Sequence, residues 1–209
     1  MALLSVTNLS VTKRDRLLFD NLNFAVEPGT LLYIKGQNGA GKTSLLRVLA
    51  GLVEADCGEV HFSQQNIKHY PEQYHQNLVY FGHKLGISQT LTPIENLQFW
   101  CKQHQVVMAE ETIFTLLAHL NLVGLEDIPV ANLSAGQQRR VALARFWCKA
   151  TAKLWILDEP FTALDTQGIA LLSEQITNFL GNGGAVIMTS HQQLQLDYAT
   201  KELTLEYRL

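Results

Sequence analysis

A glycine-rich segment near the start of this 209-residue chain constrains its fold more than any other feature. Residues Gly36–Thr43 read GQNGAGKT and fit the pattern G-x-x-x-x-G-K-[ST]. The apolar run Leu31–Ile34 before them is typical of a buried strand, and the leucines after them recur at helical spacing. A strand, a glycine loop and a helix in this order predict a loop that binds phosphate groups.

Each residue type in this loop suits phosphate binding. Glycines let the backbone curl so that successive amides point at one anion, and the helix that begins near Gly41 adds the positive end of its dipole. Lys42 is placed to reach the β and γ phosphates of a nucleotide, and Thr43 offers a hydroxyl to magnesium. A flexible glycine turn is the alternative, which the flanking strand and helix disfavour. The predicted nucleotide contacts are Gly36, Gln37, Asn38, Gly39, Ala40, Gly41, Lys42, Thr43 and Ser44.

Two adjacent acids follow a second apolar run. Asp158 and Glu159 come directly after Leu154–Leu157, at the end of a predicted core strand, where parallel-sheet proteins bind ligands. Neighbouring carboxylates repel each other unless a cation neutralises one of them. We therefore predict that Asp158 holds magnesium, directly or through water, and that Glu159 polarises an attacking water. A solvent-exposed acidic pair is the alternative.

Composition limits the other classes of function. The chain has 16 Lys and Arg against 19 Asp and Glu, without the basic excess that nucleic-acid binding usually requires. Its apolar stretches are far shorter than the roughly 18 to 20 residues that span a bilayer, and its start does not read as a secretory signal. The scattered cysteines Cys57, Cys101 and Cys148 form no C-x-x-C pair and are assigned no chemistry.

The remaining patterns predict an α/β chain. Short apolar runs and turn formers in the first 35 residues indicate a small sheet, and residues 92–150 read as helices. The last third returns to a strand, a helix over Ile169–Leu180 and a strand over Ala185–Thr189. This order favours buried parallel strands joined by a right-handed crossover.

One motif between the glycine loop and the acid pair is family-specific. Residues Leu133–Gln138 read LSAGQQ and resemble the LSGGQ signature of ABC (ATP-binding cassette) ATPases, with Ala135 in place of the first glycine. Taken alone, Ser134 is equally compatible with an ordinary helix N-cap. Further along, Thr162–Asp165 resembles the D-loop of the family, and His191 matches its switch histidine, which contacts the γ-phosphate.

The resemblance implies a fold and a division of the chain. The expected fold is a P-loop ABC ATPase domain with a RecA-like, mainly parallel sheet, an N-terminal antiparallel β subdomain and an inserted α-helical subdomain. Residues 1–209 form one ATP-binding domain, in which 1–85 and 152–209 make the catalytic core and about 86–151 the helical subdomain.

The resemblance also implies that the chain works as a pair. Two copies bind two ATP molecules and Mg²⁺ between them, and the P-loop of one copy faces the signature of the other. In this scheme Lys42, Glu159 and His191 serve hydrolysis, Thr43 and Asp158 hold the metal, and Ser134, Gly136, Gln137 and Asp165 contact the nucleotide.

Two positions depart from the family pattern. Gly82-His83 stands where ABC proteins have the Q-loop glutamine, which puts a metal contact there in doubt. Near residues 12–16 the family places an aromatic side chain that stacks on adenine, but the segment reads TKRDR. A stacking plane at this place is expected to be the guanidinium of Arg14 or Arg16.

Several longer segments resemble the ATPase subunits of the bacterial cytochrome c maturation system. They are residues 74–78, 82–83, 126–129, 133–140 and 154–163. This likeness implies a peripheral subunit on the cytoplasmic face of the inner membrane, bound to membrane proteins of the CcmB and CcmC type and without direct contact to heme. Alternatives are an exporter ATPase with another substrate, a non-transport ABC protein acting on nucleic acid or ribosomes, and a P-loop kinase.

Overall fold

The computed structural model describes residues 1–190, 198 and 200–207. The strands within these residues are β1 Leu4–Lys13, β2 Arg16–Val26, β3 Leu31–Lys35, β4 Cys57–Phe62, β5 Gln65–Asn66, β6 Leu78–Phe81, β7 Leu154–Asp158, β8 Ala185–Thr189 and β9 Thr200–Thr204. The α-helices are α1 Lys42–Leu49, α2 Pro71–Gln76, α3 Pro93–Gln103, α4 Glu110–His119, α5 Ala135–Leu143, α6 Arg145–Cys148 and α7 Thr166–Gly181. A 3₁₀ turn covers Val130–Asn132.

A parallel five-stranded sheet has the order β6-β7-β8-β3-β9. Every residue of β7 and β8 is buried, as expected for central strands covered on both faces. Parallel strands end at one edge of the sheet, and β8 lies between β3 and β7. The loops that follow β3 and β7 therefore flank the end of β8, where Asp158 pairs in register with Thr189.

A second, antiparallel sheet has the order β2-β1-β4-β5. Strands β1 and β2 form a hairpin in which Lys13 pairs with Arg16. The two residues between them, Arg14 and Asp15, have φ values of 49° and 61°, the positive values that a two-residue type I′ turn requires. This tight turn carries a group of basic side chains close to the glycine loop.

The chain divides into two compact units. The first comprises Met1–Gly82, Ala152–Pro160 and Thr177–Leu209, and contains both sheets. The second comprises His83–Thr151 and Phe161–Ile176, so it includes residues 161–176, which the division drawn from the sequence assigns to the catalytic core. The expected fold class, a mainly parallel core with an antiparallel β part and inserted helices, is confirmed.

Each unit has its own apolar core. In the first, side chains of β1, β3, α1, β7 and β8 pack together, among them Leu4, Leu45 and Ile156. In the second, α3, α4 and α5 contribute buried residues such as Leu97, Leu117 and Val141. Among the described residues, no helix combines the length and apolar character that a bilayer crossing requires.

Candidate functional site

The glycine loop leaves the end of β3 and runs directly into α1. Gly36 has a φ of +144°, and a Cβ atom there would lie 2.6 Å from the backbone oxygen of Leu205. Gly41 has a φ of +98° and is the N-cap residue of α1, whose first bond runs from Leu45 N to Gly41 O over 2.8 Å. Any residue with a Cβ atom would be strained at both positions, so the curled path of this loop depends on glycine.

Lys42 is the first residue of α1, and its ammonium group folds back over the loop. Its Nζ donates to the backbone oxygen of Gly36 at 2.7 Å and to that of Gln37 at 3.1 Å. These bonds hold the cation at the loop and in front of the first turn of α1, where backbone amides are still without helical partners. An anion bound there meets a full positive charge and the positive end of a helix.

Thr43 connects the loop to the first acid. Its Oγ1 donates to Oδ2 of Asp158 over 2.8 Å. The other carboxylate oxygen, Oδ1, accepts a bond of 2.8 Å from Oγ1 of Thr189. Asp158 is buried, with 3% of its surface exposed, and these two hydroxyl groups compensate for the loss of water. The predicted site residues Thr43, which follows β3, and Asp158, which ends β7, therefore lie together at one edge of the parallel sheet.

Thr189 is a site residue that the sequence analysis did not identify. It is fully buried at the end of β8, and besides its bond to Asp158 it accepts a bond of 3.0 Å from the backbone N–H of Glu159. The sequence signal for Thr189 is a polar residue directly after the apolar run Ala185–Met188. This signal points to the site only when β8 is known to lie between β3 and β7.

Glu159 has a strained backbone. Its φ of +52° lies in the left-handed region that residues with a side chain seldom occupy. Such strain is typical of functional sites and persists only where surrounding contacts enforce it. The bond from Glu159 N to Thr189 provides one such contact and turns the chain sharply after β7. The two adjacent acids therefore occupy different environments, because Asp158 is buried and accepts bonds from two hydroxyl groups, while Glu159 is only half-buried.

The cleft lies within the first unit and has a volume of about 560 Å³. This is in the range of small-molecule sites. Its lining residues are Lys13, Arg14, Arg16, Leu18, Gly39, Gly41, Lys42, Thr43, Ser44, Asp158 and Glu159. Four of these side chains are cationic and two are acidic, a balance that favours a polyanionic ligand.

The same residues fit a magnesium ion. The Thr43 hydroxyl and the Asp158 carboxylate, already 2.8 Å apart, are the hard oxygen ligands that Mg²⁺ prefers. In the described part of the chain no group of three or more His, Cys, Asp or Glu side chains gathers as a metal cage. A site with one or two protein oxygens, completed by phosphate and water, is the arrangement usual for Mg²⁺.

The signature segment lies in the second unit and begins α5. Ser134 is the N-cap, as its side chain accepts a bond of 3.3 Å from Gln137 N, while Ser134 N donates to Gln137 Oε1 over 2.8 Å. Ala135 is the first helical residue, so the alanine that replaces the usual glycine needs no unusual backbone angle. Gly136, in contrast, leaves little space for a side chain, because a Cβ atom there would come within 3.3 Å of the Ala163 backbone oxygen.

Asp165 is tied to the same helix. Both of its carboxylate oxygens accept bonds of 2.5 Å from Arg140 of α5, and Oδ1 also accepts the backbone N–H of Gly168 at 2.8 Å. The Gly168 amide and then the Arg140 guanidinium lower the pKa of Asp165 below its usual value. Within the second unit, the signature helix and the segment before α7 are thus joined by an ion pair that the sequence does not indicate.

The other predicted residues are placed as follows. Gly36, Gln37, Asn38 and Ala40 lie in the glycine loop, and Ser44 follows in α1. His83 is exposed at the start of the second unit. His191 lies outside the described residues.

Comparison with known proteins identifies the family to which the chain belongs. The model of the ABC transporter family matches residues 19–162. A cytochrome c biogenesis ATP-binding export protein, CcmA, of Vibrio cholerae is 47% identical over 195 residues, which cover 93% of this chain and 94% of that protein. The protein of the same name from Yersinia pestis is 50% identical over 192 residues, covering 92% of this chain and 87% of that protein.

Solved structures support the same fold. An ATP-binding subunit of an ABC transporter aligns with a TM-score of 0.85 and 24% identity, covering 97% of this chain and 85% of that one. A dimeric ATP-binding cassette in a post-hydrolysis state, bound to ADP and phosphate, aligns with a TM-score of 0.81 and 19% identity, covering 99% and 97%. Given its family-model match and its relatives at 47% and 50% identity, the chain belongs to the ABC transporter ATP-binding family.

Proposed function

We propose that this chain is the ATP-binding and ATP-hydrolysing subunit of an ABC export complex that serves cytochrome c biogenesis. The observation that carries the chemistry is the meeting of Lys42, Thr43, Asp158 and Glu159 in one cleft at the end of the parallel sheet. The assignment to cytochrome c biogenesis is supported by relatives named for that process, which match along more than nine tenths of the chain.

Binding of ATP follows from the charges of the cleft. The loop amides and the Lys42 ammonium bind the β and γ phosphates, whose negative charge these groups balance where water is scarce. Thr43 and Asp158 hold Mg²⁺ through their oxygens. When bound, the ion neutralises charge that develops on the phosphate oxygens.

In ATP hydrolysis, Glu159 has a role separate from that of the metal-binding Asp158. Its carboxylate lies in the cleft, next in sequence to the metal-binding acid, where it can accept a hydrogen bond from a water facing the γ-phosphorus. The water oxygen forms a bond to phosphorus as the bond to the β–γ bridging oxygen breaks. The water proton passes to the carboxylate, and ADP and phosphate are the products.

A pair of chains completes each site in this proposal. The N-terminal turn of α5 carries the positive end of a helix of nine residues, and Ser134, Gly136 and Gln137 lie at that end. We propose that these residues face the γ-phosphate held by the P-loop of a second copy, and that Asp165 supports the same contact. His191 is proposed to contact the γ-phosphate as well.

The pairing is tested by replacing Ser134 with arginine. The variant should bind ATP as a monomer with affinity within about twofold of the wild type, since the cleft belongs to the other unit of the chain. Hydrolysis should fall by roughly 10²-fold or more, because a bulky cation would occupy the partner's site. Isothermal titration and a phosphate-release assay measure the two quantities.

A matched control variant measures the effect of losing a helix cap by itself. Thr92 is the N-cap of α3 and forms the same capping box, with Glu95, as Ser134 forms with Gln137. Thr92→Arg should therefore lose a similar stability, about 1 kcal/mol, and keep its hydrolysis rate. Equal inactivation of both variants, or weakened ATP binding in Ser134→Arg alone, would argue against the pairing.

The partner outside the pair is proposed to be a membrane-embedded permease of the CcmB and CcmC type. The chain then acts as a peripheral subunit on the cytoplasmic face of the inner membrane, and it touches neither heme nor nucleic acid. ATP hydrolysis drives heme delivery by the complex, either by moving heme or by releasing a heme-loaded chaperone. An exporter with another cargo is the second candidate, because the residues that line the cleft suit a nucleotide and do not specify the cargo.

Purification from detergent-solubilised membranes tests this assignment. The tagged chain should retain integral membrane proteins of the CcmB and CcmC type, identified by mass spectrometry, in amounts comparable to its own. Recovery with a permease of another system would contradict the assignment to cytochrome c biogenesis and indicate another cargo. Recovery with ribosomes or DNA would contradict an export role.

A further inference from the structure

Tyr80 lies near the end of β6, the strand beside the one that ends in Asp158. Strands β6 and β7 are parallel, and Phe81 pairs in register with Leu157. Gly82, the next residue after β6, therefore follows at the level of Asp158, about one strand spacing, or roughly 4.8 Å, away. All of these residues belong to the first unit.

The phenol of Tyr80 reaches along the strand to the position of Gly82. A Cβ atom added to Gly82 would lie 2.8 Å from the Tyr80 hydroxyl oxygen and 3.0 Å from a ring carbon. Residues two apart on a strand share a face, so the hydroxyl lies where a side chain at residue 82 would otherwise project. The phenol thus fills a space that glycine leaves open at the end of the strand.

The same face of the sheet carries the Asp158 side chain and helix α1. Tyr80 packs against the apolar core that contains Ile156, which lies two residues before Asp158 in β7. Asp158 bonds to Thr43 in the first turn of α1. The Tyr80 hydroxyl and the Asp158 carboxylate therefore lie on neighbouring strands, on the side of the sheet where the predicted metal-binding oxygens meet.

Arg47 orients the phenol. It lies four residues after Thr43 on α1, so the two residues share a helix face. Burial raises the pKa of Tyr80, a hydrogen bond with Arg47 opposes this rise, and the negative charge of Asp158 adds to it. Both charged groups are thus close enough to act on the hydroxyl. A guanidinium group only donates, so the phenol oxygen accepts from Arg47 and its proton is directed to another acceptor.

We propose that Tyr80 is a positioning residue for the Mg²⁺ site, and that its hydroxyl, oriented by Arg47, donates through a bridging water to the Asp158 carboxylate. The proposal rests on ATP and Mg²⁺ being the ligands of the cleft. Tyr80 is not among the described residues that line the cleft, so it acts through Asp158. A carboxylate offers about four acceptor sites, and the bonds from Thr43 and Thr189 use two of them.

The expected size of the effect follows from this position behind a metal ligand. Groups that hydrogen-bond a ligand from outside fix its orientation, and their loss typically weakens metal binding by about 10- to 100-fold. A bridging water transmits such a bond almost as well as a direct contact. Removing the phenol oxygen should therefore change the affinity for the metal and leave the phosphate-binding loop as it is.

Metal binding by the variant Tyr80→Phe tests the proposal. The apparent Kd for Mg²⁺ of the chain loaded with AMP-PNP, an ATP analogue that resists hydrolysis, should rise roughly tenfold. In EDTA, the Kd for AMP-PNP should stay within about twofold of the wild type, since Lys42 and the loop amides are untouched. Isothermal titration measures both quantities. ATP hydrolysis should fall at limiting Mg²⁺ and recover at saturating Mg²⁺, which a distorted site would not do.

Tyr33→Phe is the matched control. Tyr33 is also half-buried in the parallel sheet, on β3, and its hydroxyl has no hydrogen-bond partner among the described residues. Loss of this oxygen should leave the affinity for Mg²⁺ unchanged. Urea unfolding checks that every variant is folded.

A substitution at Gly82 approaches the phenol from its other side. The Cβ atom of Gly82→Ala would meet the Tyr80 hydroxyl at 2.8 Å and displace it, so the apparent Kd for Mg²⁺ should rise about three- to tenfold. In the Tyr80→Phe background the same change should add less than about twofold, because the hydroxyl that it displaces is already gone.

Three results would overturn the proposal. Unchanged Mg²⁺ affinity in Tyr80→Phe would show that the hydroxyl does not support the metal site, and equal weakening of AMP-PNP binding with and without Mg²⁺ would indicate a general effect on the cleft. Additive losses in the double variant would contradict an action of Gly82→Ala through the hydroxyl. A wild-type chain that does not bind AMP-PNP would instead refute the ATP assignment itself.

Discussion

Replacing Lys42 with alanine is expected to reduce ATP hydrolysis by at least about 10²-fold, to the background of a phosphate-release assay. The ammonium group is held at the glycine loop by bonds to Gly36 and Gln37, so it is already in place when the phosphates arrive. No solvent reorganisation is needed to bring a charge to the β and γ phosphates, and this preorganisation is lost with the side chain.

The substitution also removes two bonds that curl the loop, and a second variant separates the effects. Lys42→Met keeps most of the aliphatic chain without the charge and should be as inactive as alanine, whereas Lys68→Ala, at an exposed ion pair with Glu54, should hydrolyse ATP normally. Thermal unfolding of the three proteins checks that they are folded. Wild-type hydrolysis by either Lys42 variant would remove the basis for phosphate binding by this loop.

The parts of the site that the sequence predicts are those set by short stretches of chain. The glycine loop is fixed by the order of β3, Gly36–Thr43 and α1, and each piece has its own local signal. Asp158 and Glu159 follow a short apolar run that predicts a buried strand, and the structure has β7 there. Since parallel strands end at the same edge of a sheet, two buried strands predicted from the sequence are enough to place both segments at the ligand-binding edge.

Contacts between distant segments were not predictable in this way. Strand β9 has the sequence TKELT and is mostly exposed, without the apolar alternation that identifies a strand. It forms because the edge of β3 offers unpaired backbone groups, which is a property of the folded sheet. Thr189, the Arg140–Asp165 ion pair and the stack of Arg16 on Tyr207 likewise depend on tertiary neighbours.

The signature motif illustrates how a local signal and a family signal coincide. A serine followed by glutamine three residues later predicts a capping box, and Ser134 and Gln137 form one. The proposed contact with a partner's phosphate uses the same helix end, because a cap and an anion site both satisfy the unpaired amides of the first turn. Sequence alone therefore supported both interpretations of Ser134.

Replacing Glu159 with glutamine is expected to leave ATP bound and unhydrolysed. Glutamine has the size and the hydrogen-bonding reach of glutamate but lacks its basicity, so hydrolysis should fall by about 10² to 10⁴-fold while ATP still binds. The backbone bond to Thr189 does not involve the side chain and should hold the residue in its strained turn. ATP should then keep the proposed pair closed, which gel filtration with ATP and Mg²⁺ measures as a shift from monomer to dimer.

The same variant connects the chemistry to the proposed biology. A pair that cannot hydrolyse ATP cannot reopen, so the membrane partner would not be reset and the complex would stop after one cycle. In a bacterium that depends on this variant, c-type cytochromes should disappear from heme-stained membranes, while b-type cytochromes, which need no such delivery, should remain. Glu54→Gln, at an exposed glutamate outside the cleft, is the matched control and should support normal c-type cytochromes. Normal c-type cytochromes in cells whose purified Glu159→Gln protein lacks hydrolysis would refute the role in cytochrome c biogenesis and leave the ATPase assignment intact.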